Sequence, residues 1–449
     1  MTAPPVSVII PYYENPAGLT AVLAGISAQD YTGDIEIIVA DDGSATAPEV
    51  PAGVRLVRQD DRGFRAAAAR NLGAAHASGT ILVFLDGDTI PQPGCITALA
   101  EALVAEPWTL AVGSRRMLDT GTTPPADLGE PAWLTRAWTD TADLQRIDDT
   151  GFRFIISAVL ALTRELFDTI GGFDAGFIGY GGEDWELAWQ ARLAGADYRH
   201  LPHALAHHLG GDWAHRWGAD TAGKRAEKNA ESMALAASIT HPIMRPAGIV
   251  FAVPDILVHL PGSGDVGCDV AAITALLAAG DVHVVCTAPE VPVVFASDPR
   301  VHAAAPAWTR ARPRFEVRAH RAFCPGPGEL QAACEDALAR SAVRSWPMLP
   351  GSCLPRSGRP VRLRWPPAVW APPDRRASRS TERNPCCGSC GSGRSRPPRF
   401  RWRTPGVRLP SRRSGLLRRR SGLLRRRSGV PGSAQRECAQ VTRRRRRRP

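Results

Sequence analysis

The chain has 449 residues, enough for two or three domains, and 44% of them are apolar, so a sizeable core is affordable. Its net charge of +11 is unevenly spread: residues 341–449 hold 30 arginines and three acids, a net of +27, which leaves −16 on the rest. The front is thus an acidic protein and the end a very basic one. Of ten cysteines, only Cys95 lies in the first 267 residues, which excludes an extracellular disulfide framework for that part. Met1-Thr2-Ala3-Pro4-Pro5 shows no basic stretch followed by an apolar one, so no signal peptide is read. No apolar run reaches the ~18 residues needed to span a bilayer. The expectation is a cytoplasmic protein, with peripheral contact at the inner face of the membrane left open.

In chain order, residues 6–10 predict a strand ended by Pro11, and 18–29 a helix with Leu19, Val22, Leu23 and Ile26 on one face. Strands follow at 35–40 and 54–57, an Ala-rich helix at 64–77, and a continuous apolar strand at 81–85. Residues 96–105 predict a helix and 109–113 a strand. Residues 115–149 lack clear periodicity and predict an irregular segment or lid. Residues 154–162 predict a strand, 164–170 a short helix, and 185–194 a helix closed by Gly195. Apolar strands alternating with helices predict an α/β fold, a mostly parallel sheet covered on both faces. Such sheets bind ligands beyond the carboxyl ends of their strands.

A second unit begins near Gly248. It predicts a strand at 255–260, a helix at 270–279 and a strand at 282–286, repeating the order of residues 6–40. Val301-His302 then matches Val54-Arg55, and residues 329–342 match the Ala-rich helix. This reads either as a degenerate, truncated internal repeat or as a small α/β unit. It has Ala288-Pro289-Glu290 where the first copy has Asp41-Asp42. The predicted domains are 1–245, 246–343 and a low-complexity Arg/Pro/Ser/Gly-rich tail, 344–449, too poor in apolar residues to fold. Ser-Gly-Leu-Leu-Arg-Arg-Arg occurs there twice, and an out-of-frame reading of GC-rich DNA would yield such a composition. Cys386, Cys387 and Cys390 offer only one Cys-x-x-Cys and do not make a zinc site.

Four clusters lie at predicted strand ends. Pro11-Tyr12-Tyr13-Glu14-Asn15 follows the first strand and Asp41-Asp42-Gly43-Ser44 the second; the latter is also a good turn. Asp86-Gly87-Asp88 follows residues 81–85. Two acids at the end of a buried strand are costly unless neutralised. A divalent cation held by a carboxylate and ligand phosphates would do so, and the glycine would let the backbone approach that ligand. The fourth cluster is Gly171-Gly172-Phe173-Asp174, then Gly179-Tyr180-Gly181-Gly182-Glu183-Asp184-Trp185-Glu186. Its acids would suit a helix start, which does not account for the glycines and aromatics around them.

The order of these clusters, with Arg62-Gly63-Phe64-Arg65-Ala66-Ala67-Ala68-Ala69-Arg70-Asn71-Leu72-Gly73 between the second and third, resembles family-2 glycosyltransferases of the GT-A fold. The match runs from Val6 to about Gly210. The fourth cluster looks like that of chondroitin-polymerase-type and galactosyltransferase-like members. The resemblance implies an inverting, metal-dependent transfer of a sugar from a nucleoside-diphosphate sugar, most simply a UDP-sugar, to a hydroxyl acceptor on a glycan, lipid or small molecule. It implies a nucleotide-sugar site of Pro11, Tyr12, Glu14, Asp42, Arg70, Asp86, Gly87 and Asp88. In it Asp42 reads the base, Asp86 faces the ribose, and Asp88 holds Mn²⁺ or Mg²⁺ at the diphosphate. A histidine completes the metal site in relatives; His207 or His208 is expected here. Asp184 is the expected base that removes the acceptor's proton, Glu183 a hydrogen-bonding partner of the acceptor, and Gly182, Trp185 and Tyr180 further acceptor contacts.

Residues 154–158 depart from relatives by lacking Gly-Asn, and no Gln-x-x-Arg-Trp motif of processive synthases is present. The competing readings are a sugar-1-phosphate nucleotidyltransferase, which usually opens with a Gly-rich phosphate loop absent from residues 6–15, an inactive transferase-like protein, and non-specific polyanion binding by the basic tail.

Overall fold

The computed structural model describes residues 3–179, 181–210, 221–287, 291–308, 310–339, 345–346 and 361–364. All of these fall in one compact unit, residues 1–381; a second unit, 382–449, lies outside the described residues. The expectation for the basic tail, two short strands apart, falls there too.

The chain opens with β1 (Val6–Tyr12), α1 (Pro16–Ser27), β2 (Ile35–Asp41), β3 (Val54–Arg58), α2 (Ala66–His76) and β4 (Ile81–Leu85). Asn15 starts α1 by accepting the Gly18 N–H at 3.0 Å, with Pro16 in the first turn, where its missing N–H costs nothing. Next come β5 (Thr89–Pro91), α3 (Cys95–Ala105), β6 (Thr109–Asp119), β7 (Ala126–Gly129), α4 (Ala132–Thr141), β8 (Val159–Thr163), α5 (Arg164–Ile170), α6 (Glu183–Leu193), β9 (Asp197–Leu209) and α7 (Thr221–Ser238). The sheet runs β3-β2-β1-β4-β8-β6-β9-β5, with β7 on β6. The β3-β2-β1-β4 side is parallel, while β8 is antiparallel to both its neighbours. Every residue of β4 is buried, because both faces are covered. Leu82 and Phe84 face a core with α4, α5 and α6; Ile81, Val83 and Leu85 face one with α1 and α3. This is the α/β architecture expected of a GT-A domain, and it aims the ends of β1, β2 and β4 at one edge.

Three local expectations are corrected. Residues 115–149 are not irregular: β6 continues to Asp119, β7 pairs back on it, and α4 follows. α4 buries Leu134, Ala137, Trp138 and Thr141, a spacing of one helical face, but only four positions carry it. The strand expected at 154–162 begins only at Val159; a 3-10 turn, Asp149–Phe154, precedes it. The apolarity of Phe152 and Ile155 serves the core, where Phe152 meets Trp189 edge to face at 5.5 Å. α6 starts at Glu183 rather than residue 185, so the acids form its first turn; Gly195, at φ +85°, follows its end as expected.

The second unit contains β10 (Ile256–Leu260), α8 (Val266–Ala278), β11 (Val282–Cys286), β12 (Val301–His302), β13 (Phe315–Arg318), α9 (Glu329–Ala339), β14 (Ser345–Trp346) and β15 (Val361–Arg364). Its sheet runs β12-β11-β10-β13-β15-β14. The first four repeat the order and parallel sense of β3-β2-β1-β4. The match of residues 329–342 to the Ala-rich helix is corrected, because α9 follows the fourth strand whereas α2 precedes it.

Buried charge joins the two sheets' surroundings. Arg314, fully buried, donates to Asp255 at 2.8 and 2.9 Å and to Asp149 at 2.9 Å, and lies 2.8 Å from Glu335. Burial opposes the charge of Asp149, but His241 and Arg314 outweigh it and hold its carboxyl at about 2. Among the described residues no helix is long and apolar enough to cross a membrane.

Candidate active site

The ends of β1 and β2 meet. Tyr12 pairs with Asp41, and the Asp42 N–H donates to the Tyr12 carbonyl at 2.9 Å; Pro11 pairs with Ala40. Glu14 adopts φ +45°, donates its N–H to Ser44 Oγ at 3.0 Å and accepts the Ala45 N–H at 2.9 Å. Asp41 is buried under Ser44 and Arg58. Asp42 accepts the Arg65 N–H at 2.6 Å and Gln59 Nε2 at 2.5 Å. Its carboxylate therefore fastens the start of α2 to the end of β2, and it is buried in doing so.

About one turn into α2, buried Arg70 makes the connection on which the site depends. Its Nη2 donates to Asp86 Oδ1 at 2.7 Å and its Nη1 to Glu183 Oε1 at 2.9 Å. The guanidinium lies 5.3 Å from the centre of the Phe173 ring. Burial works against its charge, but Asp86 and Glu183 outweigh that, so Arg70 holds its proton more tightly than usual. It joins clusters that lie 97 residues apart along the chain (Asp86 and Glu183). Glu183 is buried with its Oε2 lacking a hydrogen-bond partner. Gly87 lies against β1: a Cβ there would come within 3.0 Å of the Pro11 carbonyl oxygen. Its smallness thus serves the contact between the first and third clusters.

The other half of the Asp86-Gly87-Asp88 cluster meets β9. Thr89 pairs with His208 and Ile90 with His207, and the Leu209 N–H donates to the Asp88 carbonyl at 2.8 Å. Neighbouring strand residues point to opposite faces, which separates the two histidines. His208 Nδ1 lies 3.2 Å from Asp88 Oδ1 and 3.2 Å from Thr89 Oγ1. His207 is opposite Arg116 on β6, and adds to the positive surroundings of Asp127, whose carboxyl is held low chiefly by the Gly129 N–H and Arg116. A part-exposed carboxylate beside an imidazole is a donor pair that could hold a divalent cation, the nitrogen suiting a transition metal better than Mg²⁺. Among the described residues no group of three or more His, Cys, Asp or Glu converges, so a cation here would need ligand phosphates to complete its shell.

At the start of α6, Gly181 and Gly182 take φ +93° and +94°, a conformation that glycine adopts without strain. Asp184, half-buried, accepts the Trp185 N–H at 2.9 Å. Burial first, then Glu183 and Glu231, push its carboxyl up to about 7, against the pull of Arg70. Trp185 meets Phe152 edge to face at 6.0 Å, and Lys228 Nζ lies 5.1 Å from its ring centre. Tyr180 lies outside the described residues. A cleft of about 360 Å³ runs between this loop and α7, lined in part by Asp174, Phe177, Gly181, Glu231 and Ser238. Glu231 was not anticipated; in sequence it is one acid on a polar helix, paired with Lys228 at 2.7 Å.

Residues 7–171 match the glycosyl transferase family 2 model, and residues 149–209 match the N-terminal domain of galactosyltransferase. The chain is 28% identical over 235 residues to a hyaluronan synthase of Pasteurella multocida, covering 45% of this chain and 24% of that protein. It is 28% identical over 235 residues to a chondroitin synthase of Escherichia coli, covering 45% and 34%. It spans about a quarter to a third of the length of those relatives. A mannosyltransferase of Pyrobaculum calidifontis, solved with GDP-Man and Mn²⁺, is similar at a TM-score of 0.38 and 20% identity, covering 51% of this chain and 64% of that one. The front of the chain therefore matches glycosyltransferase family 2 over residues 7–171 and a galactosyltransferase-type segment over residues 149–209.

Proposed function

We propose that this protein transfers a sugar, with inversion, from a nucleoside-diphosphate sugar to an acceptor hydroxyl. The observation that carries the reading is Arg70, which ties the Asp-x-Asp cluster to the paired acids of α6 through Asp86 and Glu183. A donor site and a proton-accepting site are thereby built as one.

Asp88 and His208 would hold a divalent cation, which when bound supplies charge stabilisation to the departing diphosphate. Pro11, Tyr12, Glu14 and Asp42 shape the nucleotide pocket at the ends of β1 and β2. Asp184 takes the acceptor's proton. Its pKa near neutrality favours that task, because a base works best near the operating pH. Glu183, held by Arg70, raises the pKa of Asp184 and offers an oxygen with no protein partner. The cleft beside α7, with Phe177 as an apolar face and Glu231 as a hydrogen-bond acceptor, suits a sugar acceptor. The preferred donor base is uracil, as the resemblance implies.

The test uses the full chain with a panel of UDP- and GDP-sugars, with Mn²⁺, with Mg²⁺ and with chelator. One donor should release nucleotide in a metal-dependent manner. Asp184→Asn should lower kcat by about 10²–10⁴-fold while donor affinity changes little. Unchanged turnover in that variant would place the base elsewhere. A folded protein that binds no nucleotide would sink the whole reading.

A further inference from the structure

α6 carries one carboxylate more than the transfer site uses. Glu186, in its first turn, is fully buried. A carboxylate there is costly unless paired, and burial does push its proton affinity up, with Arg310 and Gln190 opposing. The partner comes from the second unit, 124 residues on. Arg310 Nε donates to Glu186 Oε1 at 2.7 Å, and its Nη2 donates to Glu186 Oε2. Gln190 Nε2 adds a bond to Glu186 Oε1 at 2.9 Å.

The same guanidinium reaches further. Nη2 donates to the Gly172 carbonyl at 2.8 Å, Nη1 to the Gly171 carbonyl at 3.4 Å, and Asp174 lies 3.8 Å away. One side chain thus grips both ends of the segment 173–182: the glycines that lead into it and the helix turn that follows it. That segment forms a wall of the cleft and sets where Glu183 and Asp184 begin. Arg310 is itself anchored nearby, since Trp308 Nε1 donates to the Ala252 carbonyl and Thr240 Oγ1 to the Arg312 carbonyl.

We infer that Arg310 is a positioning residue for the transfer site, so that the second α/β unit completes the acceptor side of the front domain. The inference rests on the transferase reading above. A guanidinium suits the task because its planar fork can bind a carboxylate and two carbonyls at once, which a lysine cannot.

The test compares wild type, Arg310→Lys, Arg310→Gln and the pair Glu186→Gln/Arg310→Gln in the full chain. Three quantities are read: kcat and KM for acceptor, donor Kd, and the rate of chymotryptic cleavage after Phe177. In Arg310→Gln, kcat should fall at least about tenfold, since small misplacements of a reacting group are costly, while donor Kd stays within about twofold. Cleavage after Phe177 should speed up several-fold. Arg310→Lys should fall between that variant and wild type. The paired variant removes the unpaired buried charge, so it should regain thermal stability without regaining kcat. Wild-type kcat in a folded Arg310→Gln, or in the paired variant, would overturn the inference. If no donor is turned over by wild type, the transferase reading fails by itself. The cleavage rate then decides: acceleration upholds Arg310 as the clamp on 173–182, and an unchanged rate overturns it.

Discussion

Asp184 shows the conflict between activity and stability in one group. Its carboxyl is raised to about 7 in the folded chain, against about 3.9 when unfolded. Between those values the folded state binds the extra proton, so the group's contribution to stability is lost as pH rises through that window. Above pH 7 the penalty of a half-buried anion beside Glu183 remains, lessened by solvent. Asp184→Asn should therefore be more stable than wild type at pH 8, on the order of 2 kcal/mol in urea unfolding, with the difference vanishing near pH 4. Activity should move the other way, with kcat/KM in wild type rising as pH passes 7. Arg70 is the opposite case, because removing it leaves two acids without their cation. Arg70→Met should cost about 3–5 kcal/mol of stability and abolish transfer. A variant within 1 kcal/mol of wild type by the same unfolding measurement would contradict the clamp. Both acids were legible in sequence as a pair. Separate roles for them came only with the resemblance, and the pairing of Arg70 with Glu183 not at all, because only folding brings residues 70 and 183 together.

At the scale of elements, strand alternation puts His208 and not His207 beside Asp88, which makes His208 the ligand the proposed function expects. His208→Ala should raise the metal concentration needed for half-maximal activity by about tenfold or more, and His207→Ala should change it little. A metal titration of each variant distinguishes them, and equal effects would count against the β5–β9 register. Gly182→Ala puts a Cβ 2.9 Å from the Phe177 ring at φ +94°. It should cost about 1–3 kcal/mol by thermal unfolding, and reduce kcat by shifting the start of α6. The strands and helices of the parallel half were legible because the continuous apolar run at 81–85, and the runs at 6–10 and 35–40 broken only by Ser7 and Glu36, suit burial between two layers. The elements that complete the site were less so. β9 alternates buried and exposed residues irregularly around a register shift between Gly113 and Ser114 of β6, and α4 shows a helical face at only four positions. Residues 154–158 looked like a strand because the core and the ladder both ask for apolar side chains.

For the whole molecule, the predicted boundary at 245 cuts through paired buried charges. A chain ending there would keep Asp149 and Glu186 and lose Arg314 and Arg310. It should unfold at a markedly lower temperature than the full chain by calorimetry, because both pairs and the cover over Asp149 and Glu186 are lost together. A sharp transition near that of the full chain would show the front domain to be independent. None of this was legible in sequence, where an arginine paired across 124 or 165 positions looks like any other arginine in a basic protein. The order of elements in the second unit was legible as a repeat of residues 6–40, whereas the matching strand order of the two sheets is a property of pairing.

Arg314 carries a further consequence, for inheritance. Asp149 belongs to the front domain, while Asp255 and Glu335 belong to the second unit, and one guanidinium satisfies all three. Losing Arg314 alone leaves the buried Asp149 and Asp255 without their shared cation in a place water does not reach. Arg314 should therefore change only together with Asp149 and Asp255 among descendants of this gene, and a recombination joint between 149 and 314 should yield working protein only when an acid at 149 meets an arginine at 314.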